Sequence, residues 1–267
     1  MKVGMQSFGG AFVLILALSL VIFGSANAAE MNQMQNGSYI AMHEVGESAE
    51  AMSKYQSPTA AMGMHHIHIM MSHGLEMVAE GSNMAMLAEM KMAPSLDHLT
   101  LEHGRHMIAG GKEMIEHTMS GHEMKGLHKA GHGDDPLMKY THELGHAMLE
   151  YVNIVDNMNM EGDMSGDMMT MHHMHILINH ALDMAAEGSS IVMSRHMGMA
   201  NDVDMDSVEH GKMMISDAGK LLNEVMLGKA MLELHGKGIK MNNATMAETH
   251  KLGAAAKKIV DLLSEMP

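Results

Sequence analysis

The sequence predicts an all-α protein that is an internally duplicated helical bundle, with two related antiparallel bundles. Good helix formers dominate, apolar residues recur at spacings of three and four, and alternating β-branched or aromatic patterns are sparse. A segment of the first half also recurs in the second half. We expect about seven helices after an N-terminal signal, near residues 40–54, 64–81, 96–118, 137–156, 170–188, 204–227 and 246–265.

The first 28 residues have the pattern of a secretory signal peptide. Lys2 precedes an apolar run over residues 11–23, and Ala26-Asn27-Ala28 has the A-x-A form of a cleavage site. The run is shorter than the roughly 20 residues that a membrane span needs. We therefore expect export to the periplasm or the medium, with no membrane anchor after signal cleavage.

The repeat sets the expected domain organisation. Residues 64–82 align without a gap on residues 171–189, at an offset of 107. The alignment predicts a signal at 1–28, a first bundle at 29–156, a methionine-rich linker at 157–170 and a second bundle at 171–267.

Glycine and proline give the expected helix ends. Gly81 and Gly188 stand where helix C-termini are expected, and Pro94 and Pro136 stand at or just before helix starts. Short connections between such helices favour antiparallel neighbours.

The composition is unusually rich in methionine and histidine. The 267 residues include 40 methionines and 22 histidines but no cysteine, and the formal net charge is −15. The lack of cysteine excludes disulfide scaffolds, thiolate zinc sites, iron–sulfur clusters and covalent c-type haem. The acidic balance argues against nucleic acid as a partner, because phosphate-binding surfaces need clustered Lys and Arg.

Helical spacing sorts the repeated helix into two stripes. His66, Met70, His73 and Met77 share one face, while the stripe that begins at His65 lies beside it. A similar stripe on the next helix is expected to face the first, which would bring imidazoles and thioethers together inside a bundle. The candidate ligands on the first pair of helices are His65, His66, His68, His73, Met77, His103 and Met107, and those on the second pair are His172, His173, His175, His180, Met184, His210 and Met214.

This donor set favours copper. Thioethers select Cu(I) and Ag(I), whereas imidazole also accepts Cu(II), zinc and nickel. A thioether needs no deprotonation to bind a metal, so many Met and no Cys suit an oxidising compartment. We predict copper, chiefly Cu(I), as the bound metal, with a copper exporter or chaperone as a candidate partner. Met stripes on helices also occur as plain core packing, and that interpretation stays open for them.

The linker carries a resemblance. Met-x-Met-x3-Met-x3-Met-Met over residues 158–169 resembles the methionine-rich motifs of periplasmic copper-resistance proteins and of the extracellular arms of copper transporters. An exported helical bundle rich in soft ligands is also similar to bacterial copper-storage proteins. The resemblance implies that copper is sequestered, stored or relayed, with capture by Met158, Met160, Met164 and Met168.

Two other functions remain open. His142 and His146, with Glu143, fit the Glu-x-x-His pattern of a di-iron bundle, although the second copy has Ala254 in place of His146. Met and His can also hold a b-type haem, although aromatic residues to line its pocket are few. A structural bundle whose methionines absorb oxidants is the other alternative.

The sequence gives no indication of an enzyme. It contains no nucleophile elbow, phosphate loop or dinucleotide fingerprint. The remaining histidines of the repeat are interpreted as surface or capping residues: His128, His132, His235 and His250.

Overall fold

The computed structural model describes residues 60–91, 94–158, 166–196, 205–237 and 244–266. Every regular element within those ranges is helical, which confirms the predicted all-α class. The helices are α1 (Ala60–Glu89), α2 (Asp97–Ser120), α3 (His122–Lys129), α4 (Pro136–Asn157), α5 (Gly166–His196), α6 (Met205–Leu227), α7 (Lys229–Gly236) and α8 (Ala244–Ser264), with a short 3-10 turn at His132–Asp134. None of these helices is long and apolar enough to cross a membrane. The predicted signal and the helix predicted near 40–54 lie outside the described residues.

Several helix ends agree with their sequence signals. Pro136 occupies the first turn of α4, where its fixed φ fits and its missing N–H costs nothing. Pro94 lies shortly before α2, as expected. The short helices α3 and α7 were not foreseen; each begins after a glycine in extended backbone, Gly121 and Gly228.

Gly81 and Gly188 do not end their helices, so that prediction is wrong. Both lie in the interior of longer helices, α1 and α5. A Cβ atom on Gly81 would lie 2.5 Å from the carbonyl oxygen of Gly104, and one on Gly188 would lie 2.5 Å from that of Gly211. These glycines are therefore required by the close approach of neighbouring helices, and the helices continue past them.

The two halves pack on one another. Helix α1 lies along α2 and α5 lies along α6, while α1 also contacts α5 and α4 contacts α8. The described residues form one compact unit, and its apolar core includes Ile67, Leu144, Ile178 and Ile259 from both halves. The described parts of the predicted bundles, 29–156 and 171–267, thus share a core. Residues 166–170 were predicted to belong to the linker, but they form the first turn of α5.

One buried and one half-buried hydrogen bond join the halves as well. The hydroxyl of Tyr151 on α4 donates to Oδ1 of Asn179 on α5 over 2.5 Å. Nδ2 of Asn179 donates in turn to Oδ1 of Asn83 on α1 over 2.8 Å. Because burial makes an unmet polar group costly, this chain of bonds fixes the relative positions of three helices.

Candidate metal centre

His68 is buried where α1 meets α4. Its Nε2 atom lies 2.6 Å from Oγ1 of Thr141, and that hydroxyl donates to the carbonyl oxygen of Leu137 over 2.7 Å. A hydroxyl has one hydrogen, so Oγ1 of Thr141 accepts from His68 and Nε2 carries the proton. Nδ1 of His68 therefore holds a lone pair. It is buried and has no hydrogen-bond partner among the described residues.

The second half contains the same arrangement. Nε2 of His175 on α5 lies 2.7 Å from Oγ1 of Thr249 on α8, and that hydroxyl donates to the carbonyl oxygen of Thr245 over 2.8 Å. Nδ1 of His175 is likewise buried and unmatched within the described ranges. Each half thus fixes one interior imidazole in one tautomer and leaves its second nitrogen available.

Both imidazoles are neutral at physiological pH. Burial lowers the pKa of His68 to about 3, with a smaller contribution from the nearby His65. Burial lowers the pKa of His175 to about 3 as well, and His172 adds to the effect. Protons therefore compete little for the two Nδ1 lone pairs.

Thioethers accompany the imidazole of the first half. Met64 lies four residues before His68 and Met71 three residues after it, so all three share one face of α1. Met138 lies three residues before Thr141 on the facing surface of α4. All three methionines are at most 3% exposed. The region around His68 is therefore rich in buried sulfur.

The second half keeps most of this set. Met171 lies four residues before His175, and Met246 lies three residues before Thr249; both are buried. Ile178 replaces the third methionine, that at position 71. The donor set of the second half is thus similar but has one fewer thioether.

Further rings adjoin the buried imidazoles. The ring of Tyr140 meets that of His68 edge to face at 5.3 Å between centroids, and the ring of His65 lies 6.2 Å away. His172 corresponds to His65 in the repeat and is fully buried. Neither of its ring nitrogens has a hydrogen-bond partner in the described part of the chain. Burial also lowers the pKa of His172.

The other predicted stripe does not turn fully inward as expected: His73 is exposed, and the other three residues are half-buried, namely His66, Met70 and Met77. The side chain of His73 is 61% exposed, and its Nδ1 lies 3.1 Å from Oε2 of Glu76. His66 is partly exposed, with Nδ1 3.7 Å from Oε1 of Glu123. The structure also places four further candidates at the surface: His103, His173, His180 and His210.

The reason for this difference is the glycine contact between helices. Helix α1 turns Gly74 and Gly81 toward α2, and the flanking methionines lie beside that contact rather than beneath it. A Cβ on Gly81 would meet Cβ of Met107 at 2.8 Å, and one on Gly111 would meet Cβ of Met77 at 3.1 Å. The corresponding methionines of the second half, Met184 and Met214, are likewise half-buried.

The linker candidates are only partly described. Met158 ends the α4 segment and Met168 lies in the first turn of α5; both are half-buried against the core. Met160 and Met164 lie outside the described residues.

The sequence interpretation missed two pairs of histidines. Nε2 of His128 lies 2.8 Å from Nε2 of His142, and Nε2 of His235 lies 3.2 Å from Nε2 of His250. His128 and His235 are exposed as expected, while His142 and His250 are half-buried. The pairing of these residues was not foreseen. The repeat contained the signal, because Leu-His and Thr-His recur in both copies at nearly equal separation.

The carboxylates form no evident metal site. Within the described ranges, no group of three or more His, Asp or Glu side chains is arranged to hold an ion. Glu143 and His146, the residues of the di-iron alternative, are both exposed and so do not project into the interior.

Comparisons with protein-family models, with curated proteins and with solved structures found no match to this chain.

Proposed function

We propose that this protein binds copper, chiefly as Cu(I), at two interior sites built around His68 and His175. One observation supports the proposal most strongly: each imidazole has its Nε2 proton committed to a threonine and its buried Nδ1 lone pair unmatched among the described residues. An unmet buried acceptor costs free energy, and a bound metal ion would remove that cost.

The surrounding chemistry favours Cu(I) over divalent ions. Neutral imidazole and thioether carry no charge, so their site suits a soft monovalent ion better than Zn²⁺. Met64, Met71 and Met138 supply buried sulfur in the first half, and Met171 and Met246 supply it in the second. Because neither donor must lose a proton near neutral pH, binding would persist in mildly acidic surroundings.

In this proposal the two threonines orient the ligand histidines without contacting the metal. A metal-binding histidine commonly donates its other N–H to a fixed acceptor, which holds the ring and the tautomer. Thr141 and Thr249 provide such an acceptor, and each is itself held by a backbone carbonyl one turn earlier. This arrangement supports the proposal that Nδ1 is the ligating atom.

The wider proposal is that the protein is exported and sequesters, stores or relays copper without acting as an enzyme. The two halves would be duplicated units with one site each. The linker methionines at 158, 160, 164 and 168 would capture or pass on ions, and the exposed histidines would be auxiliary. The presence of the N-terminal signal pattern supports export.

A Cu(I) competition titration against a chromophoric chelator, without oxygen, tests the two sites. We expect His68→Gln with His175→Gln to remove the tightest binding. The matched control, His73→Gln with His180→Gln, alters exposed histidines at the same repeat offset and should leave that binding unchanged. Loss in the control alone, with the buried pair unaffected, would contradict the proposal.

A second variant keeps both histidines, so it tests the sites in case the histidine variants fail to fold. Thr141→Val with Thr249→Val keeps both imidazoles but removes the acceptors that hold them, so Cu(I) affinity should fall by roughly 10–100-fold. X-ray absorption of the loaded protein should show copper bound to both nitrogen and sulfur. A spectrum with oxygen neighbours only would reject the interior sites.

A further inference from the structure

Two pairs of histidine side chains bridge neighbouring helices, one pair in each half. His128 lies in the last turn of α3 and His142 lies in the second turn of α4, so the pair bridges two helices. His235 on α7 and His250 on α8 bridge the matching helices of the second half. The two pairs are separated by different connecting sequences, and yet they converge on the same geometry.

The connection between α3 and α4 keeps the first pair together. Gly131 takes a left-handed conformation with φ of 94°, which reverses the chain within a few residues. Nδ1 of His132 lies 2.8 Å from Oδ2 of Asp135, which fixes the remainder of the turn. A Cβ on Gly133 would lie 2.8 Å from Nδ1 of His128, so glycine leaves room for that ring.

As a hydrogen bond alone, each pair adds little to the fold. Two facing imidazoles share one proton, and at the surface water offers an equal partner. Protonation of both rings would place two charges in contact. The pKa values of His142 and His250 are lowered by partial burial first and then by the facing ring, His128 or His235. Neutral rings whose nitrogens converge are suited instead to a shared cation.

The distances fit such a cation. With metal–nitrogen bonds of about 2.0–2.1 Å, two imidazole nitrogens on one ion lie roughly 2.9 Å apart at the 90° angle of a tetragonal Cu²⁺ site and roughly 3.4 Å apart at the tetrahedral angle. The observed separations of 2.8 Å and 3.2 Å lie close to this range. The rings of His128 and His235 are exposed and can adjust by a small rotation. The ring that donates the shared proton would shift its hydrogen to Nδ1, which frees both Nε2 lone pairs without net proton release.

We propose that each pair, His128 with His142 and His235 with His250, binds one divalent transition-metal ion through its two Nε2 atoms. Water completes the coordination. Nitrogen donors without sulfur favour borderline divalent ions, and Cu²⁺ leads that series. The overall acidity of the chain raises the local concentration of cations. This inference concerns surface imidazoles and does not rest on the interior Cu(I) sites.

Calorimetric titration of the full chain with Cu²⁺ near neutral pH tests the proposal. Replacing His128 and His142 by Gln should remove one Cu²⁺ equivalent, and His235→Gln with His250→Gln should remove another. The matched control, His117→Gln with His122→Gln, changes two exposed histidines near the first pair and should remove none. Equal losses in the control, or full binding after all four pair substitutions, would overturn the proposal.

Nuclear magnetic resonance gives a second, local measurement. Zn²⁺ is diamagnetic, so its addition should shift the imidazole ¹⁵N resonances of the four paired histidines before those of other surface histidines. Shifts that appear first elsewhere would reject the sites. The pair variants should keep full Cu(I) affinity. The variant His68→Gln with His175→Gln should keep both Cu²⁺ equivalents. The two titrations therefore show which of the two proposals fails.

Discussion

Gly81 on α1 and Gly104 on α2 bring their backbones into direct contact. A Cβ atom on either residue would lie 2.5 Å from the carbonyl oxygen of the other. Gly188 and Gly211 meet in the same way in the second half, with corresponding distances of 2.5 Å and 2.7 Å. Because backbone lies on both sides of each contact, no flexible side chain can move aside to admit a methyl group.

Alanine at Gly81 or Gly188 should therefore destabilise the protein, although alanine is the better helix former. We expect a loss of about 1–3 kcal/mol or more in the free energy of unfolding, because overpacking outweighs helix propensity. Chemical denaturation monitored by circular dichroism measures it. Gly126→Ala on α3 is the control, since nothing lies within 4 Å of a Cβ there. That change should be neutral or stabilise by roughly 0.5–1 kcal/mol. Equal effects at both kinds of site would refute the contact argument.

The threonine acceptors can be tested without metal. Thr141→Val leaves the buried Nε2–H of His68 without its acceptor, which should cost about 1–3 kcal/mol. Thr141→Ser keeps the hydroxyl and should cost less. In ¹⁵N spectra of the metal-free protein, His68 and His175 should both show the proton on Nε2. A proton on Nδ1 of either ring would contradict the assigned hydrogen-bond directions.

The buried histidines predict a loss of stability in acid. The pKa of His68 falls from its ordinary 6.5 to about 3 in the folded protein, and that of His175 does the same. The unfolded chain therefore takes up protons at a higher pH than the folded chain does. The stability is complete above pH 6.5 and declines as pH falls toward 3. Denaturation midpoints across this range should show the decline, and His68→Gln with His175→Gln should reduce its slope.

Asp183 predicts the opposite trend. Its pKa is raised to about 6, chiefly by burial and in smaller part by the carboxylates of Glu80 and Glu76. A raised pKa means that the ionised form opposes folding above that pH and that protonation relieves the strain. Asp183→Asn should stabilise the protein at about pH 7.5 by on the order of 1 kcal/mol, discounted for partial exposure. The advantage should vanish near pH 4, and an advantage that is independent of pH would reject the electrostatic cause.

The sequence predicted the helices better than their contacts. Periodicity located the starts of α2, α4 and α6 within about two residues, and the repeat correctly singled out the helices that hold the buried histidines. It did not indicate which histidine stripe faces inward. Both stripes have helical spacing, and adjacent residues point only roughly 100° apart on a helix. Spacing alone therefore did not show whether the stripe of His65 and His68 or that of His66 and His73 faces the core. The deciding factor was the glycine contact, which depends on a partner helix.

Glycine itself illustrates the limit of local signals. Glycine often ends a helix. At Gly81 and Gly188, however, it allows the backbones of two helices to come into contact. The pairing of His128 with His142 also depends on tertiary structure, because the two residues lie on different helices joined by a reversing turn. Thr141 recurs in the repeat as Thr249, but the sequence did not indicate its role, because that role arises only when α4 packs on α1.

The common apolar interior also bears on how the protein unfolds. Helices α1 and α4 each cover surface that belongs to the opposite half, so neither half can leave the assembly without exposing its partner to water. Melting should consequently follow a single cooperative transition rather than two. A polypeptide of half the length would expose an apolar surface to water. Dimerisation with an identical copy would be the simplest way to bury that surface.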